Sequence, residues 1–175
     1  REGVRLAHFL LRYRQRNETG RTAMAEATAV IRGGRVADGV DHTGEPADIL
    51  LDGEWIRAIG PPGLAAPAEA EVIDATGRLV APPFVDPHFH MDATLSLGQP
   101  RMNVSGTLLE GIALWGELKP LLTPEAVIER ALRYCDLAVA QGLLSIRSHV
   151  DVSTAPLVGV EALLEVKKRV APYID

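Results

Sequence analysis

The sequence predicts an α/β protein in which short strands come first and strand–helix alternation follows. Two observations carry this reading. Between Thr28 and Leu79, apolar runs of strand length are separated by the turn-forming dipeptides Gly33-Gly34, Asp52-Gly53 and Thr76-Gly77. After Leu79 the pattern becomes strand, long connection, helix, strand, helix, the order that yields parallel βα units.

Taken in order, "TAVIRGGRVAD" and "ADILLDGEWIRAIG" read as hairpin strands, so the first part is expected to be a small antiparallel unit. A Pro/Gly/Ala-rich link, "GPPGLAAPAEA", leads to a further strand at "EVIDA". His42, in "DHTGEP", falls on a loop and reads as a solvated surface residue. "VAPPFVDPHFHMD", Val80 to Asp92, is the next strand, and Pro82, Pro83 and Pro87 make its end the least regular part. The connection Leu97–Leu122 holds Ser105-Gly106-Thr107, which can cap a short helix from Leu108 onward; the other reading is only that Leu109, Ile112 and Leu114-Trp115 pack against the barrel, and periodicity does not separate the two. Thr123 as N-cap, Pro124 at the first helical position and Gly142 at the close bound a second helix. Its apolar residues Val127, Ile128, Ala131, Leu132, Cys135 and Ala138 recur at helical spacing, which makes Cys135 core rather than nucleophile. "LLSIRSHVDV" is a strand, and "APLVGVEALLEVKKRV" a helix stopped by Pro172. A (β/α)8 barrel needs eight such units and about 250 residues. If the alternation belongs to a barrel, the chain is an amino-terminal fragment, and by itself of little or no activity.

Composition narrows the function classes. With 175 residues, 47% of them hydrophobic and 23% charged, the chain can bury a core. A net charge of -5 argues against a nucleic-acid partner and leaves small molecules as the expected ligands. The single cysteine, Cys135, excludes an intrachain disulfide and suits a reducing, cytoplasmic setting. No run of 18 apolar residues predicts a membrane span. Residues 1–23 carry six arginines against two glutamates, so residues 1–26, with His8, are expected to be a basic extension outside the fold.

The chemistry sits at two strand ends. His88 and His90 at i and i+2 share a strand face about 7 Å apart, so both rings can turn toward one cation. A catalytic zinc takes about three protein ligands, so the pair makes half a site. Asp86 and Asp92 fall on the same side if the strand stays regular. In the second strand Arg147, His149 and Asp151 occupy alternate positions, an unusual ionisable row for a parallel strand. At the carboxyl ends of barrel strands such rows build active sites. His149 reads slightly better as hydrogen-bonding support than as a ligand.

The motifs "PPFVDPHFHMD", "GQPRMNVSGTLLEGI", "SHVDVS" and "LLEVKKRVAPYID" together resemble the amino-terminal part of bacterial cytosine deaminases of the amidohydrolase superfamily, from about Ala27 to Asp175. The resemblance implies a β-sandwich portion at residues 27–78 and, at 79–175, the first two βα units of an incomplete (β/α)8 TIM-type barrel. It implies that His88 and His90 are ligands of one divalent metal, Fe(II) or Zn(II), that activates water toward C4 of cytosine, giving uracil and ammonia. Leu108 matches the leucine that borders the pyrimidine, and Asp92, His149 and Asp151 are expected in support of the ligands. The catalytic groups and remaining ligands of such enzymes come from later strands, beyond Asp175, and the complete enzyme is expected to be a homo-oligomer. Met91 in place of the usual leucine and Ser148 in place of a threonine are the departures, with Arg101-Met102 at a variable position. The His-x-His-Met-Asp and "HVDV" stretches also resemble N-alkylammelide aminohydrolases, which act on triazine rings. A cyclic-amide hydrolase with two metals, or a non-catalytic piece that pairs its open edge with a partner, are the other readings.

Overall fold

The computed structural model describes residues 27–37, 44–53, 55–153 and 155–175. The basic extension with His8 and the loop carrying His42 lie outside the described residues. The described residues up to Pro82 form one unit, and Pro83–Asp175 form another.

The first unit is a five-stranded sheet of β1 (Ala29–Val36), β2 (Pro46–Asp52), β3 (Trp55–Gly60), β4 (Glu71–Asp74) and β5 (Leu79–Val80). Its order is β3-β2-β1-β4, with β5 also on β1. The β1/β2 and β2/β3 pairs are antiparallel, and Gly53 closes the β2–β3 turn with φ 53°. The expected all-antiparallel unit is nonetheless corrected: β4 and β5 pair with β1 in parallel. The link after Gly60 is long enough to carry the chain back across, so β4 starts at the same end as β1.

Gly33-Gly34 is likewise not a turn. It lies inside β1 at a register break between Ile31 and Gly34, where Gly33 takes a left-handed φ of 63°. A glycine in that conformation is what such a bulge needs. A Cβ at Gly34 would fall 2.5 Å from Val80 Cγ2, so the second glycine allows β5 to close on β1. Both faces of the sheet bury side chains: Ile31, Ile49 and Leu51 belong to one cluster, Val30 and Leu50 to another.

One charged group is built into this core. Asp48, 1% exposed, accepts hydrogen bonds from the Gly33, Gly63 and Leu64 amides and from Arg32 Nη1. It therefore ties the bulge of β1 to the link after β3. Burial raises its pKa, but the donors outweigh it and hold the carboxyl below its ordinary value.

The second unit opens with β6 (Phe84–His90), a 3-10 turn (Met91–Ala93), then α1 (Leu108–Leu118), a 3-10 turn (Lys119–Leu121), α2 (Pro124–Ala140), β7 (Leu143–His149) and α3 (Val158–Val170). Strands β6 and β7 pair in parallel, as the alternation predicted. Pro87 falls where the register breaks between Asp86 and Phe89, which lets a residue without an amide hydrogen stay in the strand. Thr107 and Thr123 cap α1 and α2 through the Glu110 and Ala126 amides. After α3 the chain returns to β7, where Asp175 N donates to Leu144 O and Ile146 N to Asp175 O. In this unit the described residues form two parallel strands and their helices, and no closed barrel.

Buried residues of α2 (Val127, Ala131, Cys135, Ala138) and α3 (Ala162, Val166, Val170) line the helix pair. Cys135 has no exposed surface, and burial pushes its thiol up to about 11. At pH 8 it should therefore resist iodoacetamide in the folded protein and react on addition of denaturant. Rapid labelling of the folded protein, followed by mass spectrometry, would contradict this packing.

Candidate functional site

The site is assembled where β6 and β7 end side by side. His90 is paired in register with His149, so the two strands bring histidines 59 residues apart to one edge. The ring centres of His88 and His90 are 5.6 Å apart, and those of His90 and His149 are 5.7 Å apart. His149 stacks on His88 at 3.8 Å with an interplanar angle of 12°.

These distances test the fit of a metal. Metal–nitrogen bonds of about 2.1 Å and ring radii of about 1.2 Å keep two ligating ring centres within roughly 6.5 Å of each other. His88 and His90 meet that condition and are tilted by 50°, so they fit as a donor pair. His88 and His149 do not converge, because nearly parallel rings point their lone pairs side by side. Accordingly, no group of three His, Cys, Asp or Glu surrounds a common point among the described residues. His149 Nδ1 is nevertheless buried without a hydrogen-bond partner there. Such an orphan is rare in folded proteins, and it leaves one polar atom of the strand end unsatisfied among the described residues. Burial first, and then the adjacent His88 ring, lower the His149 pKa, which favours the neutral ring.

Behind the histidines lies a hydrogen-bonded frame. Asp92 is 2% exposed, because it sits in the 3-10 turn rather than on the strand face predicted for it. Its Oδ1 lies 3.7 Å from His90 Nδ1 and accepts from the Ala93 amide, while its Oδ2 accepts from the Asp151 amide at 2.9 Å. Asp86 instead accepts from the His88 amide, a local bond that does not make it a ligand. Arg130 of α2 donates to the carbonyls of Asp92 and Thr94 and so fixes the turn.

The predicted row Arg147, His149, Asp151 is also corrected, because β7 ends at His149 and Asp151 lies past the strand. There Asp151 accepts from Trp115 Nε1 at 2.6 Å and from Lys119 Nζ at 3.0 Å. With Ser153, these donors hold its carboxyl well below the usual carboxylate range. Trp115 in α1 and Lys119 at its C-cap are four residues apart; the sequence suggests only packing for Trp115 and does not single out Lys119 or Arg130. The i,i+4 spacing of an indole and an ammonium is the signal that was available.

A cavity of about 610 Å³ opens beside this frame, lined by His90, Asp92, Ala93, Trp115 and Val150–Ser153. Leu108 begins α1 and is 79% exposed, as is much of Leu109 and Ile112, which were expected to be packed.

The family model described as the amidohydrolase family matches residues 71–167, more than half of the chain. The chain belongs to the amidohydrolase family. Among solved structures, this amidohydrolase chain is similar to the 5-methylcytosine deaminase of Klebsiella pneumoniae liganded with 5-fluorocytosine. The TM-score is 0.73 and the identity 39%, over 83% of this chain and 34% of that one. Among curated proteins it is 36% identical over 108 residues to the N-isopropylammelide isopropyl amidohydrolase of Pseudomonas sp. strain ADP. That match covers 59% of this chain and 27% of the relative. The dihydroorotase of Geotalea daltonii is 48% identical over 61 residues, 35% of this chain and 14% of its own length. This amidohydrolase chain thus spans about a third or less of the proteins it matches. Among the described residues, no helix is long and apolar enough to cross a membrane.

Proposed function

We propose that the protein to which this chain belongs is a metal-dependent hydrolase that deaminates cytosine-type rings, and that the two βα units described here carry half of its metal site. The observation that supports this most is the histidine edge: His88 and His90 fit one cation, with Asp92 behind His90 and an open cavity beside them. The similarity to 5-methylcytosine deaminase points the choice of ring toward pyrimidines.

The overall reaction is cytosine plus water to uracil plus ammonia. A C–O bond forms at C4, the C4–N bond breaks, and the amino group leaves with a proton as ammonia. His88 and His90 would hold a divalent cation such as Fe(II) or Zn(II), which would supply Lewis-acid activation of water near neutral pH. The chain's own residues hold that pair. Asp92 is placed to orient His90, Arg130 fixes the turn that carries Asp92, and Trp115 forms a flat wall of the cavity. Leu108 is proposed to border the ring, and closure of the βα units into a barrel, with later strands adding the catalytic acid–base groups, completes the enzyme. We further propose a homo-oligomer in the cytoplasm.

A second reading is a triazine-ring aminohydrolase, favoured by the similarity to the N-isopropylammelide enzyme. Both are tested by ammonia release from the protein expressed from its complete reading frame. Cytosine or 5-methylcytosine should be consumed at least about tenfold faster, in kcat/KM, than N-isopropylammelide, a discrimination of roughly 1.4 kcal/mol. The reverse order would select the triazine reading, and no ammonia from either ring would dismiss both.

A further inference from the structure

Helix α1 has two working faces. At 3.6 residues per turn, Leu108, Ile112, Trp115 and Lys119 fall within about 60° of one another, while Glu110 and Glu117 fall on roughly the opposite side. The inner row is anchored at its lower end, where Trp115 and Lys119 both donate to Asp151. Trp115 lines the cavity, and the upper residues of the row are exposed, Leu108 at 79% and Ile112 at 58%. They continue the indole as an apolar wall with nothing packed on it among the described residues.

The outer row is strapped by one residue. Arg101 donates through Nη1 to Glu110 Oε1 at 2.9 Å, and through Nη2 and Nε to Glu117 at 2.9 and 3.2 Å. Glu110 also accepts from the Ser105 amide and hydroxyl, and its own amide donates to Thr107 Oγ1. The Ser105 hydroxyl and amide first, and then the Arg101 guanidinium, hold the Glu110 carboxyl down to about 2. An isolated exposed ion pair contributes little. Here one guanidinium spans two carboxylates two turns apart and fixes the incoming loop, a task that needs the planar fork of arginine.

We propose that Arg101 is a positioning residue that holds the Leu108–Ile112–Trp115 row as the wall against which a flat heteroaromatic ring lies. The proposal rests on the ring-hydrolase reading above. It divides α1 into a lower half fixed by Asp151 and an upper half whose height over the cavity depends on Arg101. Loss of the strap leaves two like charges on one face and frees the loop, so Leu108 and Ile112 lose their place while His88, His90 and Trp115 keep theirs.

The test uses the complete protein, with Arg101→Gln, Arg101→Lys and Glu117→Gln. Arg101→Gln should raise KM for the ring about 3- to 10-fold, with kcat within about twofold and metal content unchanged. Arg101→Lys should recover only part of the loss, because a point charge cannot bridge both carboxylates. Hydrogen exchange at the Ser105 amide and the first turn of α1 should quicken in Arg101→Gln and Glu117→Gln alike. Unchanged exchange overturns the strap, and faster exchange at unchanged KM overturns the wall. A wild-type protein that turns over no ring removes the functional reading itself, which is a different result from turnover that Arg101→Gln leaves unmoved.

Discussion

Replacing either His88 or His90 by alanine is expected to abolish stoichiometric metal and to lower ring hydrolysis on the order of 1000-fold or more in the complete protein. On the proposed assignment the two residues should be equivalent, because rings 5.6 Å apart can serve together as one donor pair rather than as a ligand and a helper. Asp92→Asn should cost much less. Its carboxylate lies 3.7 Å from His90 Nδ1 and acts through that ring, and losing such an orienting partner typically costs about 10- to 100-fold in metal affinity or activity. Metal analysis of the purified variants beside their rates separates these cases. Full metal content in His88→Ala would show that the pair is not the site.

Asp48→Ala should be the most destabilising single change in the sheet unit, by about 3 kcal/mol or more, because it strands three amides and a guanidinium that now share one carboxylate. Urea unfolding followed by a probe in this unit measures it. The pH dependence carries a sign. The folded-state pKa lies below the ordinary 3.8, so the carboxylate's contribution is fully present above that value and is lost as pH falls through the lower folded value. Asp48→Asn should flatten the acid limb of the stability curve below about pH 4. An acid limb identical to that of the wild type would mean that Asp48 titrates alike in both states.

The helices were legible because their signals are local: Thr107 and Thr123 as caps, and the period that buries Val127, Ala131 and Cys135. The sheet was legible in its strands but not in its directions. Gly33-Gly34 reads the same in a turn as in a bulge, and only the continued pairing of β1 with β2 and β5 beyond Gly34 decides between them. Likewise nothing within "EVIDA" tells whether it runs with or against β1. Asp48 was invisible as a hub because its donors arrive from 15 and 16 residues away on both sides of the chain.

At the candidate site, His88 and His90 were legible from the two-residue period of a strand, and His149 from the same period in β7. Asp151 broke that period because β7 stops at His149, after which the chain turns toward Trp115 and Lys119. The stacking of His149 on His88 depends on how β6 and β7 are registered, which no single strand encodes.

The most direct measurement is the metal stoichiometry of the complete purified protein, taken together with its release of ammonia from cytosine and 5-methylcytosine before and after chelation. The expected result is one divalent ion per chain, loss of ammonia release on chelation, and recovery on adding Fe(II) or Zn(II). Ammonia release that survives removal of all metal, or a protein that binds no divalent ion at His88 and His90, would contradict the assignment.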